Sequence, residues 1–356
     1  MKHDFITLNG QKINGKALAA DPKALRVFKR KWMGDPAIPE FIEKWWNKKN
    51  TIAAYSSGST DIPKRITLGK EYALKSARAT LDILGLQPGD TALLSMPAHY
   101  IAGRMMITRA IEGQLNLITI GPTSTPQIPE LPIDVAAFTP HQFQSILEKE
   151  SKDRYFNIKN ILLGGSPVPD DLIEHITDFP GHIYETYGMT ETYSHIALRQ
   201  LHPVRQKYFE AVGSTSFSLD GEKLIIHAPH LGIKNLHTND TGELDGTTRF
   251  RWLGRADHVI NSGGIKLHPE TIENKLHQFV KTPFFVTGKP DPTYGEVAVL
   301  VMEQHPDTVP ENQLVEIMDN ILDKYEKPKS IKWVDRIVLT PTGKTNRRAT
   351  IKKHDI

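Results

Sequence analysis

Between residues 67 and 190 the chain alternates helix-like segments with short apolar runs, and this alternation limits the fold more than any other feature. A helix between successive strands is the connection that parallel strands need. The pattern therefore predicts an α/β fold with a mainly parallel sheet flanked by helices, its ligands gathering beyond the carboxyl ends of the strands. A helix over Lys70–Leu84 should stop at Gly85, a good terminal residue, and TALLSM (91–96) follows as a buried strand. IAGRMMITRAIEG then reads as helix and LNLITIG as strand. VAAFT (135–139) runs into Pro-His-Gln, where Thr139 caps, Pro140 takes the first helical position and Gln142 completes a capping box. NILLGG (160–165), the helix DDLIEHIT and the strand HIYETYG continue the series.

After residue 200 the alternation gives way to β-rich segments such as KLIIHAP (223–229) and TRFRWLGR (248–255). From His258 the pattern reads as a compact α+β unit with helices at 269–280 and 311–324 and strands at PFFVTG, EVAVLVM and SIKWV. The boundary falls near Arg255–Asp257, and a chain of 356 residues has room for two such units at roughly 100 to 200 residues per domain. A net charge of +3 is too small to argue for nucleic acid. No apolar run approaches the ~20 residues of a membrane span, and MKHDFITLNG lacks the apolar core of a signal peptide, so a cytoplasmic location is expected. The absence of cysteine excludes disulfides, thiol nucleophiles and thiolate metal sites. Oligomeric state is left open, a homo-oligomer included.

The stretch SSGSTDIPK (56–64) looks at first like a Walker A loop. Pro63, however, stands where a glycine N–H should meet phosphate, and Arg65 replaces the magnesium-binding hydroxyl, so the P-loop reading fails. What remains is a loop of hydroxyls, Ser56, Ser57, Ser59 and Thr60, with Gly58 among them and Lys64 at its close. Such a loop can still embrace an oligophosphate.

Five further segments carry chemistry, each with a plainer reading beside it. In ETYGMTET (185–192), Thr190 can donate to a phosphate oxygen, Glu191 can hold magnesium and Tyr187 can stack on a base; taken alone, YGMTET reads as a strand end followed by a helix cap. ILLGGSPVP brings Gly164, Gly165 and Ser166 to what is otherwise an ordinary strand-to-helix turn, where bare backbone admits a ring. Asp240 in LHTNDTGE offers two acceptors at a turn, enough for the hydroxyls of a ribose, although lone turn aspartates usually cap locally. GRADHVINSGGIKLHPETIE holds Arg255, Asp257 and the pair Gly263-Gly264 before a helix, and glycine pairs most often mark turns. Lys344 sits on a tight turn in the basic tail PTGKTNRRATIKK, a kind of tail that is normally solvated.

In this order and at these separations the six segments resemble the adenylate-forming superfamily of acyl-CoA ligases, firefly luciferases and peptide-synthetase adenylation domains. The resemblance covers nearly the whole chain from about residue 51. Asp61 replaces a usual glycine of the phosphate loop, and the region ahead of that loop is shorter than in typical members, so an abbreviated first subdomain is expected. Within the superfamily, MPAHYIAGRMM, ILLGGSPVP and YGMTETYSHIALRQL are most similar to the ligases that join o-succinylbenzoate to coenzyme A in menaquinone synthesis.

The resemblance implies a large adenylation domain over 1–255, a hinge at 256–257 and a small mobile domain over 258–356 that carries the catalytic lysine. It implies ATP, Mg2+ and coenzyme A. Lys344, Thr190 and Glu191 would be catalytic, with Glu191 holding the metal. The nucleotide would meet Ser56, Ser57, Gly58, Ser59, Thr60, Lys64, Gly164, Gly165, Ser166, Tyr187, Asp240 and Arg255. His99, Tyr100, Arg104 and Gly188 would line the acyl pocket. His99 falls one place early for the motif and Tyr100 holds the expected position, while Arg104 reads equally as a helix residue facing solvent. Gly263 and Gly264 would border a pantetheine tunnel and Asp257 would be the pivot. Two other readings remain: adenylation of another acid with transfer to coenzyme A or a carrier protein, and a nucleotide-binding module without catalysis.

Overall fold

The computed structural model describes residues 3–55, 65–174, 176, 178–305, 309–340 and 344–356. The chain opens on a hairpin, β1 (Phe5–Leu8) and β2 (Gln11–Asn14), followed by α1 (Gly15–Ala20), α2 (Pro22–Lys31) and α3 (Ala37–Trp46). Helix α3 buries Ile38, Phe41, Ile42 and Trp45, which share one face at the spacing of an amphipathic helix. A second hairpin pairs β3 (Thr51–Tyr55) with β4 (Arg65–Gly69), Tyr55 opposite Arg65. The expected phosphate loop, Ser56–Lys64, lies outside the described residues.

The expected alternation follows. It runs through α4 (Lys70–Leu84), β5 (Thr91–Leu94), α5 (Ile101–Gly113), β6 (Asn116–Thr119) and β7 (Ile133–Phe138). It continues through α6 (Pro140–Lys149), α7 (Lys152–Phe156), β8 (Ile158–Leu163), α8 (Asp170–Glu174) and β9 (His182–Met189). Gly85 ends α4 at φ +64°, donating back to Asp82 and Leu81, and Thr139 with Gln142 forms the capping box on α6.

The backbone divides into two compact units. The first comprises Met1–Val168, Ile176–Ser216 and His227–Asn235; the second comprises Pro169–His175, Phe217–Ile226 and Leu236–Ile356. Arg255–Asp257 falls inside the second. In the first unit, β10 (Ser194–His202) and β11 (Phe209–Ala211) complete a sheet of order β11-β10-β9-β8-β7-β5-β6-β1-β2. Every pair from β9 to β1 is parallel and the pairs at both ends are antiparallel. Strands covered on both faces must be apolar throughout, and Leu93, Leu117, Val135, Ala136 and Ile161 are fully buried. The mainly parallel α/β fold expected from the sequence is present.

In the second unit, β12 (Ser216–Asp220), β13 (Lys223–Ala228), β14 (Ile233–Asp245) and β15 (Arg249–Arg255) lie side by side. A further sheet joins β16 (Ile260–Ser262), β17 (Ile265–Leu267), β18 (Phe284–Asp291), β19 (Gly295–Glu303) and β20 (Ser330–Val334) in the order β17-β16-β19-β18, with β20 parallel to β19. Alternation along β19 serves two cores. Ala298, Leu300 and Met302 pack with α9 (Pro269–His277) and α10 (Glu311–Ile321), whereas Val299 and Val301 join Ile337 and Ile351 of α11 (Arg347–His354). Among the described residues no helix is long and apolar enough to cross a membrane.

Candidate active site

The carboxyl edge of the parallel strands in the first unit carries two of the expected segments. One is the turn from β9 into β10. The expectation of a helix after YGMTET is not met: the chain doubles back as a hairpin, with Met189 opposite Ser194 and Gly188 opposite His195. Gly188 is required for this packing, since a Cβ there would lie 2.0 Å from the Ser194 carbonyl oxygen. Within the turn the Thr192 hydroxyl accepts from the Met189 N–H at 2.9 Å and lies 2.7 Å from the Ser194 carbonyl. Tyr193 and Ser194 take φ of +58° and +83°, a region that costs an L residue about 1 kcal/mol or more. Between these fixed points Thr190 is 7% exposed, and Glu191 is exposed with no hydrogen bond or ion pair among the described residues. Tyr187 is turned inward, 5.9 Å from the Phe209 ring.

The second segment is the loop after β8. A Cβ on Gly164 would lie 2.1 Å from Thr186 Oγ1, and Gly165 takes φ +93°, where a Cβ would meet Thr139 Cγ2 at an ordinary 3.9 Å. Gly165 and Ser166 are exposed. The loop is anchored by Glu185, which accepts from the Val168 N–H at 3.0 Å and from Arg199 Nε at 3.0 Å.

The acyl-pocket candidates gather at the start of α5. The exposed His99 stacks on Tyr55 at 4.7 Å with the rings 10° from parallel, and Tyr100 meets His99 edge-on at 5.5 Å. Arg104 corrects its solvent-facing reading. It is 5% exposed, its Nε donates to the His99 carbonyl at 3.2 Å, and its guanidinium lies 6.0 Å from the Phe41 ring. Burial pushes its pKa down.

Sequence reasoning missed Arg109, one turn and a half further along α5. It is 2% exposed, and burial lowers its pKa to about 10. Its Nη2 lies 3.4 Å from His195 Nδ1, and Thr80 Oγ1 lies 2.9 Å from His195 Nε2. Thr80 also donates to the Ser76 carbonyl, so the consistent arrangement is a neutral His195 carrying its proton on Nε2. Burial, with the charge of Arg109 second, holds His195 well below the usual imidazole range. The available signal was two arginines in a helix whose other residues up to Ile111, Thr108 apart, are apolar or glycine.

The second unit collects the rest. Asp240 is not at a turn, as expected, but inside β14, where it is the register partner of Arg255. The long β14–β15 ladder extends through a segment whose composition looked like a loop. Arg255 Nε donates to Asp257 Oδ1 at 2.9 Å. Burial works against the Asp257 charge, but the bond and charge of Arg255 outweigh it and hold the carboxyl below its usual range. Gly263 and Gly264, at φ +58° and +84°, form the two-residue turn of the β16–β17 hairpin, so a strand and not a helix follows them directly.

Lys344 is half-buried: Thr340 N–H donates to its carbonyl at 2.7 Å, and Leu339 bridges Thr345. Burial, then the positive charge of Arg255, lowers its pKa. Within the basic tail Arg348, Lys352 and Lys353 are exposed as expected, whereas Arg347 is not solvated but bound by two carboxylates of α9. Asp240, Arg255, Asp257, Gly263, Gly264 and Lys344 thus belong to one unit, and Gly164, Gly165, Ser166, Tyr187, Gly188, Thr190, Glu191, His99, Tyr100 and Arg104 to the other.

Residues 14–244 match the family described as AMP-binding enzyme. The chain is similar to an acyl-CoA synthetase (AMP-forming)/AMP-acid ligase II-like protein from Dyadobacter fermentans, 33% identical, with 93% of this chain and 97% of that one aligned at a TM-score of 0.61. It is also similar to a 2-succinylbenzoate–CoA ligase from Listeria monocytogenes, 26% identical over 89% of this chain and 73% of the relative. The fold is shared with o-succinylbenzoate coenzyme A synthetase from Bacillus subtilis, solved in complex with ATP and magnesium ion. That likeness has a TM-score of 0.71 at 22% identity, over 84% of this chain and 69% of that one.

Proposed function

The chain belongs to the AMP-binding enzyme family, and on that premise we propose that it joins o-succinylbenzoate to coenzyme A through an acyl-adenylate, a step of menaquinone biosynthesis. A carboxylate is a poor acyl donor because its oxygen would have to leave as oxide. In the first half reaction a carboxylate oxygen attacks the α-phosphorus of ATP, the bond to pyrophosphate breaks, and charge grows on the phosphorus oxygens. In the second, the thiol of coenzyme A attacks the acyl carbon, the bond to AMP breaks, and the thiol proton leaves to solvent.

The observation that carries this reading is the Thr190–Glu191 turn, a nearly buried hydroxyl beside an exposed carboxylate with no partner among the described residues, at the carboxyl edge of a parallel sheet. A single exposed carboxylate suits magnesium, which keeps waters and phosphate oxygens as its other ligands; among the described residues no three metal-binding side chains cluster. Glu191 would hold the ion, whose charge opposes that developing on phosphorus. Thr190 would donate to the same oxygens and Lys344 would add a cation, preorganised electrostatics of the kind that usually dominates catalysis. The hydroxyl loop Ser56–Lys64 would hold the outer phosphates, Asp240 the ribose, and Gly164, Gly165, Ser166, Tyr187 and Arg255 the rest of the nucleotide. His99, Tyr100, Arg104 and Gly188 would receive the acid.

One arrangement cannot serve both half reactions. Residues 258–356 would rotate about Asp257 relative to residues 1–255, withdrawing Lys344 and presenting Gly263 and Gly264, whose exposed backbone leaves room for a slim ligand. A cytoplasmic location, where ATP and coenzyme A are supplied, goes with this reading.

Acid-dependent exchange of labelled pyrophosphate into ATP tests it, with o-succinylbenzoate set against benzoate and a medium-chain fatty acid. Exchange is expected with o-succinylbenzoate above the other two, and AMP release on adding coenzyme A. Exchange with another acid alone replaces the substrate, release only with a carrier protein replaces the acceptor, and ATP binding without exchange removes catalysis.

A further inference from the structure

Tyr193 is the bulkier of two successive residues at positive φ, and the chain supplies no glycine to ease the turn. It is 6% exposed and held by three contacts, each to α4 or the residue that starts it. Its phenol oxygen accepts the Gly69 N–H at 3.0 Å, its carbonyl accepts from Ser76 Oγ at 3.1 Å, and its ring meets Tyr72 edge-on at 6.1 Å. Gly69 is both the last residue of β4 and the N-cap of α4, where it supplies no side chain of its own. The remaining bonds of the turn are internal: Tyr193 N–H to Thr190 O at 3.2 Å, and Thr192 to Met189 and Ser194. Among the described residues Glu191 has no hydrogen-bond or ion-pair partner to place it. Among the described residues, apart from the β-ladder and a 3.5 Å contact from Arg109 to Ser194, the hydrogen bonds and ring contact that tie the turn to the rest of its unit are those of Tyr193.

We propose that Tyr193 is a positioning residue for adenylation, fixing the turn that offers Thr190 and Glu191 against the β4–α4 junction. The proposal rests on the assignment of those two residues to the reaction. A strained backbone persists only where its surroundings over-determine it, and here the strain is countered by contacts that all run to one neighbouring element. The phenol sets where the turn sits; the ring and the backbone set its shape.

Tyr193→Phe removes only the acceptor of the Gly69 N–H and keeps the ring. In the full chain it should speed amide hydrogen exchange of residues 189–194 by about tenfold while leaving β7 and β8 protected, the loss of one hydrogen bond being worth about that factor. The kcat of acid-dependent pyrophosphate exchange should fall about tenfold, with the KM for ATP and acid changed less than about threefold. Ser76→Ala, which frees the Tyr193 carbonyl and leaves the phenol in place, should also speed exchange of the turn and decides the matter if Tyr193→Phe does not fold. Unaltered exchange at the turn overturns the proposal, as does faster exchange with kcat intact, or protection lost equally across the sheet. A wild-type chain without acid-dependent pyrophosphate exchange would remove the reaction assigned above; the hydrogen-exchange measurement still decides whether Tyr193 holds the turn.

Discussion

Arg347 grips Glu273 with two nitrogens, Nη1 to Oε1 and Nη2 to Oε2, both at 2.7 Å, and Nη1 also donates to the Val286 carbonyl at 2.6 Å. The first residue of α11 is thereby bolted to α9 and β18, three residues after Lys344. Glu270 stands 3.5 Å from the same guanidinium and 2.5 Å from His258 Nδ1, and a Cβ on Gly254 would lie 2.3 Å from its other oxygen. The flank of the proposed pivot and the segment that carries Lys344 therefore share one set of charges.

Arg347→Met should destabilise the second unit by about 3 kcal/mol or more, because it leaves the Glu273 carboxylate, 12% exposed, without its cation. Urea denaturation measures this. Adding Glu273→Leu to the same chain should restore much of the loss, since the pair is then replaced by apolar groups and Glu270 keeps its bond to His258.

Lys344→Ala should cut acid-dependent pyrophosphate exchange by about a hundredfold or more while ATP binding survives, the mark of a group that acts on developing charge. The pH profile gives a second check. Burial and Arg255 lower the Lys344 pKa, so activity that needs the ammonium should be lost on the alkaline side below the 10.5 of a free lysine. Arg255→Gln should move that limb upward.

Glu191→Gln should raise the magnesium needed for half-maximal exchange by roughly tenfold or more, because the exposed carboxylate is replaced by a neutral amide. A magnesium titration at saturating ATP reads the shift, and an unchanged requirement would remove Glu191 from the metal.

His195 makes the first unit sensitive to acid. In the folded chain its imidazole stays neutral, whereas unfolded it takes a proton below the 6.5 of a free imidazole. The unfolded state then binds more protons, so this contribution is complete above about pH 6.5 and falls as pH drops, by at most about 1.4 kcal/mol per unit. His230, His268 and His277 are depressed by burial too, so the readout is the difference in slope between the wild type and His195→Gln, which should be the shallower.

What was legible in the sequence was what depends on local rules. Thr139, Pro140 and Gln142 state a helix start, Gly85 states a helix end, and apolar runs such as NILL state strands covered on both faces. What was hidden depends on partners distant in sequence. Asp240 looked like a turn residue because LHTNDTGE is rich in turn formers, and only the pairing with β15 makes it a strand. Gly263-Gly264 fits a hairpin turn as well as a helix approach, and the brevity of β16 and β17, three residues each, gave no alternation to tell them apart. Arg347 looked solvated and Arg109 went unremarked because their partners, Glu273 and His195, lie 74 and 86 residues away. Thr190 and Glu191 were singled out by motif; the hydrogen bonds of Thr192 and Tyr193 in the same turn needed the structure.

Oxygen tracing tests the acyl-adenylate most directly. With o-succinylbenzoate labelled with 18O in its carboxylates, ATP, magnesium and coenzyme A, the account predicts one 18O in each AMP released, carried over when the thiol displaces AMP from the acyl carbon. Unlabelled AMP, or label appearing in phosphate with ADP as the other product, would contradict it.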